Sequence, residues 1–156
     1  LIMKVFIDMD GVLSDFDKPI IDKFNTKKEW ANRWELLPED FFFSLPKMPD
    51  ADELINHISG QFDWHVLTAI PNDSGFPECR VQKMQWIFKY YKIFPVRIHC
   101  VFQREKLYYA VEENLSPNIL IDDSERNVAD WKSKGGIAIL HTSARDSIRE
   151  LQQLGF

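Results

Sequence analysis

Two aspartates two residues apart, Asp8 and Asp10, close an apolar run in the stretch KVFIDMDGVLSDF, residues 4–16. On a strand, side chains at i and i+2 point to the same face, so two carboxylates would be held together and repel. Such a pair calls for a cation, a shared proton or a catalytic use. A second acidic pair, Asp122 and Asp123, ends the run ILIDD. If both runs are parallel strands, four carboxylates meet at one sheet edge, and a hard divalent cation answers their repulsion. Mg²⁺ favours one or two carboxylates plus substrate phosphate oxygens over an all-protein cage, so the pattern points to phosphate chemistry. Two other run ends fit. Thr68, in HVLTAIP, could offer a hydroxyl and a backbone N–H to a phosphoryl oxygen, and Lys106, in REKLYYAV, could balance its developing charge.

These groups need a scaffold that brings distant chain segments to one edge. Five short apolar runs, KVFID, WHVLTA, VRIHCVF, NILIDD and GIAILH, read as strands covered on both faces, as in a parallel sheet. Helical stretches separate them. PECRVQKMQWIFKYY sets Val81, Met84, Ile87, Phe88 and Tyr91 at helical spacing behind Pro77. SERNVADWKSKGG closes at Gly135, and SARDSIRELQQLG starts on Ser143 as an N-cap, with Ile148, Leu151 and Leu154 on one face. The expected fold is α/β: a Rossmann-like core with a parallel sheet of about five strands flanked by helices. Residues 17–48 break the alternation. They read as two or three short helices interrupted by Pro38 and Pro46, a small helical cap inserted after the first strand, with 1–16 and 49–156 forming the core. An insertion there would lie over the carboxyl edge of the sheet, where α/β proteins bind ligands.

Composition narrows the alternatives. The 156 residues suffice for one domain with a real core, and no segment stays apolar for the ~18 residues of a membrane span. The start of the chain lacks the features of a signal peptide, so the expectation is a soluble, cytoplasmic protein that does not engage a membrane. The net charge is −5, and the 19 Lys and Arg are scattered, which argues against a nucleic-acid groove. Cys79 and Cys100 form no CxxC pattern and read as reduced, structural thiols. The four histidines share no metal spacing, and Trp86 and Trp131 read as core.

In the order Asp-x-Asp, Thr, Lys, Asp-Asp, the chain resembles the haloacid-dehalogenase superfamily of aspartate-nucleophile phosphatases, closest to the 5'(3')-deoxyribonucleotidases. DMDGVLSDF is similar to the first motif of that family and ILIDD to the fourth, and EDFFFSLPKMPDADELI echoes the stretch before its second strand. The likeness touches residues 4–16, 39–70 and 104–131. It implies that Asp8 is the nucleophile, forming an aspartyl-phosphate, and that Asp10 protonates the leaving oxygen and later deprotonates water. It implies Mg²⁺ held by Asp8, the backbone carbonyl of Asp10 and Asp123. Asp122 then supports the site through the metal's waters or by orienting Lys106. Gly11 lets the backbone approach the phosphate closely. The chain departs from that pattern at Ala69, where the nucleotidases typically place a Ser.

The resemblance makes a small phosphorylated substrate, a nucleotide by first choice, the expected partner. Among the aromatics Phe16, Trp30, Trp34, Phe41, Phe42 and Phe43, a base-stacking wall could contribute ~1–3 kcal/mol per base. The plainer reading, favoured for most of them, is a small core for the cap; Phe16 and Phe42 are the candidates for ligand contact, beside Ala69. The expected activity is a Mg²⁺-dependent phosphomonoesterase. The alternatives are a phosphatase of nucleic-acid ends and a non-catalytic binding module. A haloacid dehalogenase needs neither a second motif aspartate nor a metal, so Asp10 and Asp123 tell against it.

Overall fold

A computed structural model describes residues 3–30, 33–71 and 75–156. Five strands form one all-parallel sheet: β1 (Lys4–Ile7), β2 (Asp63–Ala69), β3 (Ile98–Val101), β4 (Ile119–Asp122) and β5 (Ile137–Leu140). They lie in the order β3-β2-β1-β4-β5. The helices are α1 (Asp17–Phe24), α2 (Lys27–Trp30), α3 (Ala51–Ile58), α4 (Cys79–Tyr91), α5 (Glu125–Ser133) and α6 (Ala144–Gln153). Short 3₁₀ turns cover Trp34–Leu36, Pro95–Arg97 and Gln103–Tyr109. The five apolar runs of the sequence are thus the five strands. Val5, Ile7, Val66, Leu67, Ile119, Leu120 and Ile121 are fully buried because both sheet faces are covered.

The strand order reverses beside β1: β2 and β3 follow on one side, β4 and β5 on the other. In open α/β sheets, the crevice outside the carboxyl ends of the strands at this reversal is where ligands bind. Register makes the crevice acidic. Ile7 pairs with Ile121 and the Asp8 N–H donates to Ile121 O at 2.9 Å, so Asp8 leaves the sheet level with Asp122.

Segment 17–48 carries α1, α2 and a 3₁₀ turn. It does not build a core of its own. Ile20, Trp30, Leu37, Phe41, Phe42 and Leu45 join the same buried cluster as Val5, Ile7, Ile55 and Trp86. α4 holds the segment by polar contacts as well. Gln82 Oε1 accepts from the N–H groups of Phe42 and Phe43, its Nε2 donates to Glu39 O, and Trp86 Nε1 donates to Leu45 O at 2.7 Å.

The buried stripe of α4 differs from the expected one. Val81 and Phe88 are about half exposed (47% and 45%), whereas Cys79, Lys83, Trp86 and Ile87 face inward. The helix is turned so that a lysine enters the interior, because acceptors wait for it there. Elsewhere the helix signals hold: Ser124 and Ser143 cap α5 and α6 by accepting from Asn127 N and Asp146 N. Leu151 is buried on α6, while Leu154 lies past its end and is 49% exposed. Trp86 and Trp131 are fully buried. Among the described residues, no helix is long and apolar enough to cross a membrane.

On the sheet face covered by α5, His65 of β2 and His99 of β3 stack, with His65 Nδ1 3.0 Å from His99 Nε2. Burial, then the neighbouring His65, hold His99 below its ordinary value. Between that lowered value and the unfolded value near 6.5, the unfolded chain binds a proton that the folded chain refuses. The stability contributed by neutral His99 is therefore lost as pH falls through this window. Denaturant titrations at about pH 7.5 and about pH 5.5 should give a weaker acid-induced loss for His99→Gln than for the parent chain. Equal losses would contradict this placement of His99.

Candidate active site

Four carboxylates and two ammonium groups converge at the carboxyl edge of β1, β2 and β4. Asp8, 7% exposed, follows β1; Asp122, fully buried, ends β4; Asp123 follows it. One oxygen from each of these three lies within 4.8 Å of the others. Lys106, delivered by the turn after β3, donates to Asp8 Oδ1 at 2.8 Å and to Asp122 Oδ2 at 2.9 Å. Asp122 is further fixed by the Ser124 N–H on Oδ1 and Asn127 Nδ2 on Oδ2, so this carboxylate is spent on holding the site together.

Burial, and next the charge of Asp122, push the Asp8 carboxyl well above the usual range despite Lys106. Burial and Asp122 also raise Asp123. Burial works against the charge of Lys106, but Asp8 and Asp122 outweigh it and its pKa rises. The same holds for Lys83, where burial is outweighed by Asp10, Cys79 and Asp8 together. With all six groups ionised, four negative charges face two positive ones. A divalent cation would close that gap, and a donor set made only of carboxylate oxygens suits Mg²⁺ or Ca²⁺ rather than a softer metal. The chain also leaves room at this point: Gly11, at φ +87°, has no Cβ where one would collide with the Asp123 carboxylate.

Asp10 points elsewhere. Its Oδ2 accepts from Lys83 Nζ at 2.8 Å and its Oδ1 from Ser14 Oγ at 3.0 Å. Its carboxylate lies outside the three-residue cluster, so a metal contact from Asp10 would fall to its main-chain carbonyl. A cavity of about 270 Å³ opens over the site, lined by Asp8, Asp10, Lys106 and Asp123 on the core side and by Phe16 and Lys27 on the other. A larger cavity, about 450 Å³, lies around Met3, Lys4 and Glu112, but it gathers no comparable cluster of charge. Chemistry, not size, singles out the smaller one.

Of the residues expected from sequence, Asp8, Asp10, Phe16, Ala69, Lys106, Asp122 and Asp123 all border this cavity. Thr68 and Phe42 are placed otherwise. Thr68 is fully buried: its side chain takes the strand face covered by α4, and its Oγ1 accepts from Lys83 at 2.8 Å. Phe42 is 1% exposed and packs edge-on against Phe41 and Phe76, with Lys83 Nζ 5.2 Å from its ring centre. It supports the site from below. Phe16, half-buried, lies at the cavity, backed by Trp30 and Phe41 at 5.4 and 5.6 Å.

Sequence reasoning missed Lys83, Ser14 and Asn127. The signal for Lys83 was a lysine within the stripe Cys79, Lys83, Trp86, Ile87, which has the i, i+4, i+7, i+8 spacing of a buried helix face. Asn127 was legible as the residue three beyond the Ser124 cap, one turn into α5 and so close to Asp122.

The five-stranded parallel sheet flanked by helices is a Rossmann-like fold, of the kind seen in haloacid dehalogenase structures. Among solved structures, the chain is similar to a hydrolase from Streptococcus pneumoniae, with 13% identity and TM-score 0.53 over 97% of this chain and 98% of that one. It is also similar to the L-2-haloacid dehalogenase of Xanthobacter autotrophicus, with 12% identity and TM-score 0.52 over 88% and 76% of the two chains. The same dehalogenase with chloropropionic acid covalently bound matches at TM-score 0.50. No protein-family model and no curated protein matches the chain.

Proposed function

We propose that the protein is a Mg²⁺-dependent phosphomonoesterase working through an aspartyl-phosphate on Asp8. The observation that carries this reading is the convergence of the Asp8, Asp122 and Asp123 oxygens within 4.8 Å, beside the buried ammonium of Lys106. Mg²⁺ would be held by Asp8, Asp123 and the Asp10 carbonyl, with Asp122 supporting it, and would supply charge neutralisation for a bound phosphate.

Asp8 then attacks phosphorus, a bond forms from its carboxylate oxygen, and the bond from phosphorus to the leaving oxygen breaks. The electron pair of that bond stays on the leaving oxygen, which takes a proton from Asp10 and departs as an alcohol. Water next attacks the same phosphorus while Asp10 recovers a proton from it. The bond to Asp8 breaks, its electron pair returns to the carboxylate, and inorganic phosphate leaves. Lys106 stabilises the negative charge throughout. With the Thr68 hydroxyl turned to Lys83, the side-chain contact to the phosphoryl group falls to Lys106. The neighbouring dehalogenase, with chloropropionic acid covalently bound, supports by analogy that this fold accommodates a covalent intermediate.

The substrate is a small phosphate monoester. A nucleoside monophosphate comes first, its base placed against Phe16; the 270 Å³ cavity lies at the small end of ligand sites. Phosphate release should be followed across nucleoside monophosphates, sugar phosphates and a 5'-phosphorylated oligonucleotide, with Mg²⁺ and with chelator. Chloride release from 2-chloropropionate should be followed in parallel. Mg²⁺-dependent release from mononucleotides, abolished by chelator, is the expected result. Preference for the oligonucleotide would move the substrate to nucleic-acid ends. Chloride release would make the protein a dehalogenase, and no turnover of any compound a binding module.

A further inference from the structure

Lys83 is 1% exposed, and its three ammonium protons have three acceptors: Asp10 Oδ2 at 2.8 Å, Thr68 Oγ1 at 2.8 Å and Ala69 O at 2.7 Å. An ammonium can only donate, so each of these oxygens must accept. Two of the three acceptors belong to the end of β2, which makes the lysine a strut from the sheet to Asp10. On its other side lies the ring of Phe42, whose main-chain N–H is held by the preceding residue of α4, Gln82. The position of the ammonium is therefore set from the sheet, from α4 and from the inserted segment together.

The other oxygen of Asp10 meets a different kind of partner. Ser14 is fully buried, and its hydroxyl lies 3.0 Å from Asp10 Oδ1. A hydroxyl can donate to a carboxylate or, by rotating, accept from a carboxylic acid. We infer that Lys83 is a positioning residue that keeps Asp10 Oδ2 a permanent acceptor and confines the proton exchanged in catalysis to Oδ1, with the Ser14 hydroxyl turning to follow it. A proton placed on Oδ2 would face the Lys83 ammonium proton head-on. A proton on Oδ1 faces a hydroxyl that can reverse. The inference rests on the proposed role of Asp10 and adds which of its atoms carries the proton and what holds it there.

In the first half-reaction the Oδ1–H bond breaks as the leaving oxygen takes the proton, and the Ser14 hydroxyl turns to donate to the carboxylate. In the second half-reaction an Oδ1–H bond forms with a proton from the attacking water, and Ser14 turns back to accept. Lys83 keeps its protons in both. It touches no reacting atom.

Leaving-group chemistry separates this role from plain charge or packing. A leaving oxygen of low basicity needs no proton, whereas an alkoxide does. Lys83→Met should lower kcat on an alkyl phosphate by about 10²-fold or more, within the range of general acid catalysis, and on 2,4-dinitrophenyl phosphate by less than about tenfold. KM should hold for both. In an Asp10→Asn background, Lys83→Met should add little further loss, because the two residues act through one proton. Ser14→Ala should show the same leaving-group pattern more weakly. Equal losses on the two esters, or full additivity with Asp10→Asn, would overturn the inference.

Crystal structures of the parent and Lys83→Met proteins give a readout independent of turnover. The Asp10 carboxylate should leave its position beside Ser14 Oγ in the variant, and an unmoved carboxylate would count against the strut. If the parent protein hydrolyses neither ester, the proposed function fails, while the crystallographic comparison still decides whether Lys83 positions Asp10. Should Lys83→Met not fold, Lys83→Gln, which keeps a donor of similar length, takes its place in both measurements with a smaller expected loss.

Discussion

Asp8→Asn should lower phosphate release by on the order of 10⁴-fold or more, the scale seen when a catalytic nucleophile is deleted, and leave a folded protein. The amide keeps the shape of the carboxylate and an oxygen able to accept from Lys106, but it cannot form the aspartyl-phosphate. Stability should not suffer. Burial and Asp122 already disfavour the charged form of Asp8, so its ionised carboxylate is a cost to the metal-free fold at neutral pH. The sign follows from the raised value. Between the unfolded value near 3.9 and the higher folded one, the folded chain holds a proton that the unfolded chain has lost, and stability declines as pH rises through that window. A neutral amide escapes the decline. Thermal unfolding in chelator should therefore show Asp8→Asn at least as stable as the parent near neutral pH. Added Mg²⁺ should raise the melting temperature of the parent in proportion to its binding and raise that of the variant much less. Substantial Mg²⁺-dependent turnover by the variant would remove Asp8 from its assigned role.

Gly11→Ala ranks second, and its effect reaches the chemistry through geometry alone. Gly11 sits at φ +87°, a conformation that costs an L side chain roughly 1–2 kcal/mol, and a Cβ there would land on the Asp123 carboxylate. The turn cannot yield cheaply. The turn is closed by the Gly11 N–H on Ser14 O and by the N–H groups of Leu13 and Ser14 on Met9 O, with Met9, Val12 and Leu13 fully buried beneath it. Asp123 must therefore move. A displacement of about 1 Å at a group that positions substrate can cost roughly 10²-fold in rate, and that is the expected loss in kcat/KM. The apparent Mg²⁺ requirement should rise in step, because Asp123 is one of the three clustered carboxylates. Wild-type turnover and metal requirement in Gly11→Ala would show that Asp123 takes no part in the site.

The site divides its two lysines between two tasks. Lys106 sits between Asp8 and Asp122, where under the proposed mechanism its charge would serve the phosphoryl group. Lys83 sits one layer lower, between Asp10 and the end of β2, and acts on the chemistry only through Asp10. Both are nearly fully buried and both remain charged, because each has carboxylate partners within 3 Å. Lys106 keeps Asp122 when Asp8 is neutralised, whereas neutralising Asp10 takes from Lys83 the carboxylate it is paired with and strands its charge in the interior. The insertion after β1 takes part as well, since Phe42 and Gln82 tie its middle to the helix that carries Lys83.

What the chain reveals unaided follows from local rules. Strands buried on both faces must be apolar along their length, and Asp residues at their ends stand out against that background. The five strands, the caps of α5 and α6, and the gathering of Asp8, Asp122 and Asp123 were therefore readable, given only that the sheet is parallel. Tertiary structure alone decided the rest. Whether Thr68 faces the cavity or α4 depends on which strand face the crevice occupies, and period-two alternation by itself cannot choose. Phe16 and Phe42 are equivalent as letters, but packing put the first at the cavity and the second beneath it. The role of Lys83 was not legible, because a buried ammonium is tolerable only when acceptors from other segments converge on it. Those acceptors, from Asp10, Thr68 and Ala69, become neighbours of Lys83 only once β1, β2 and α4 are packed together.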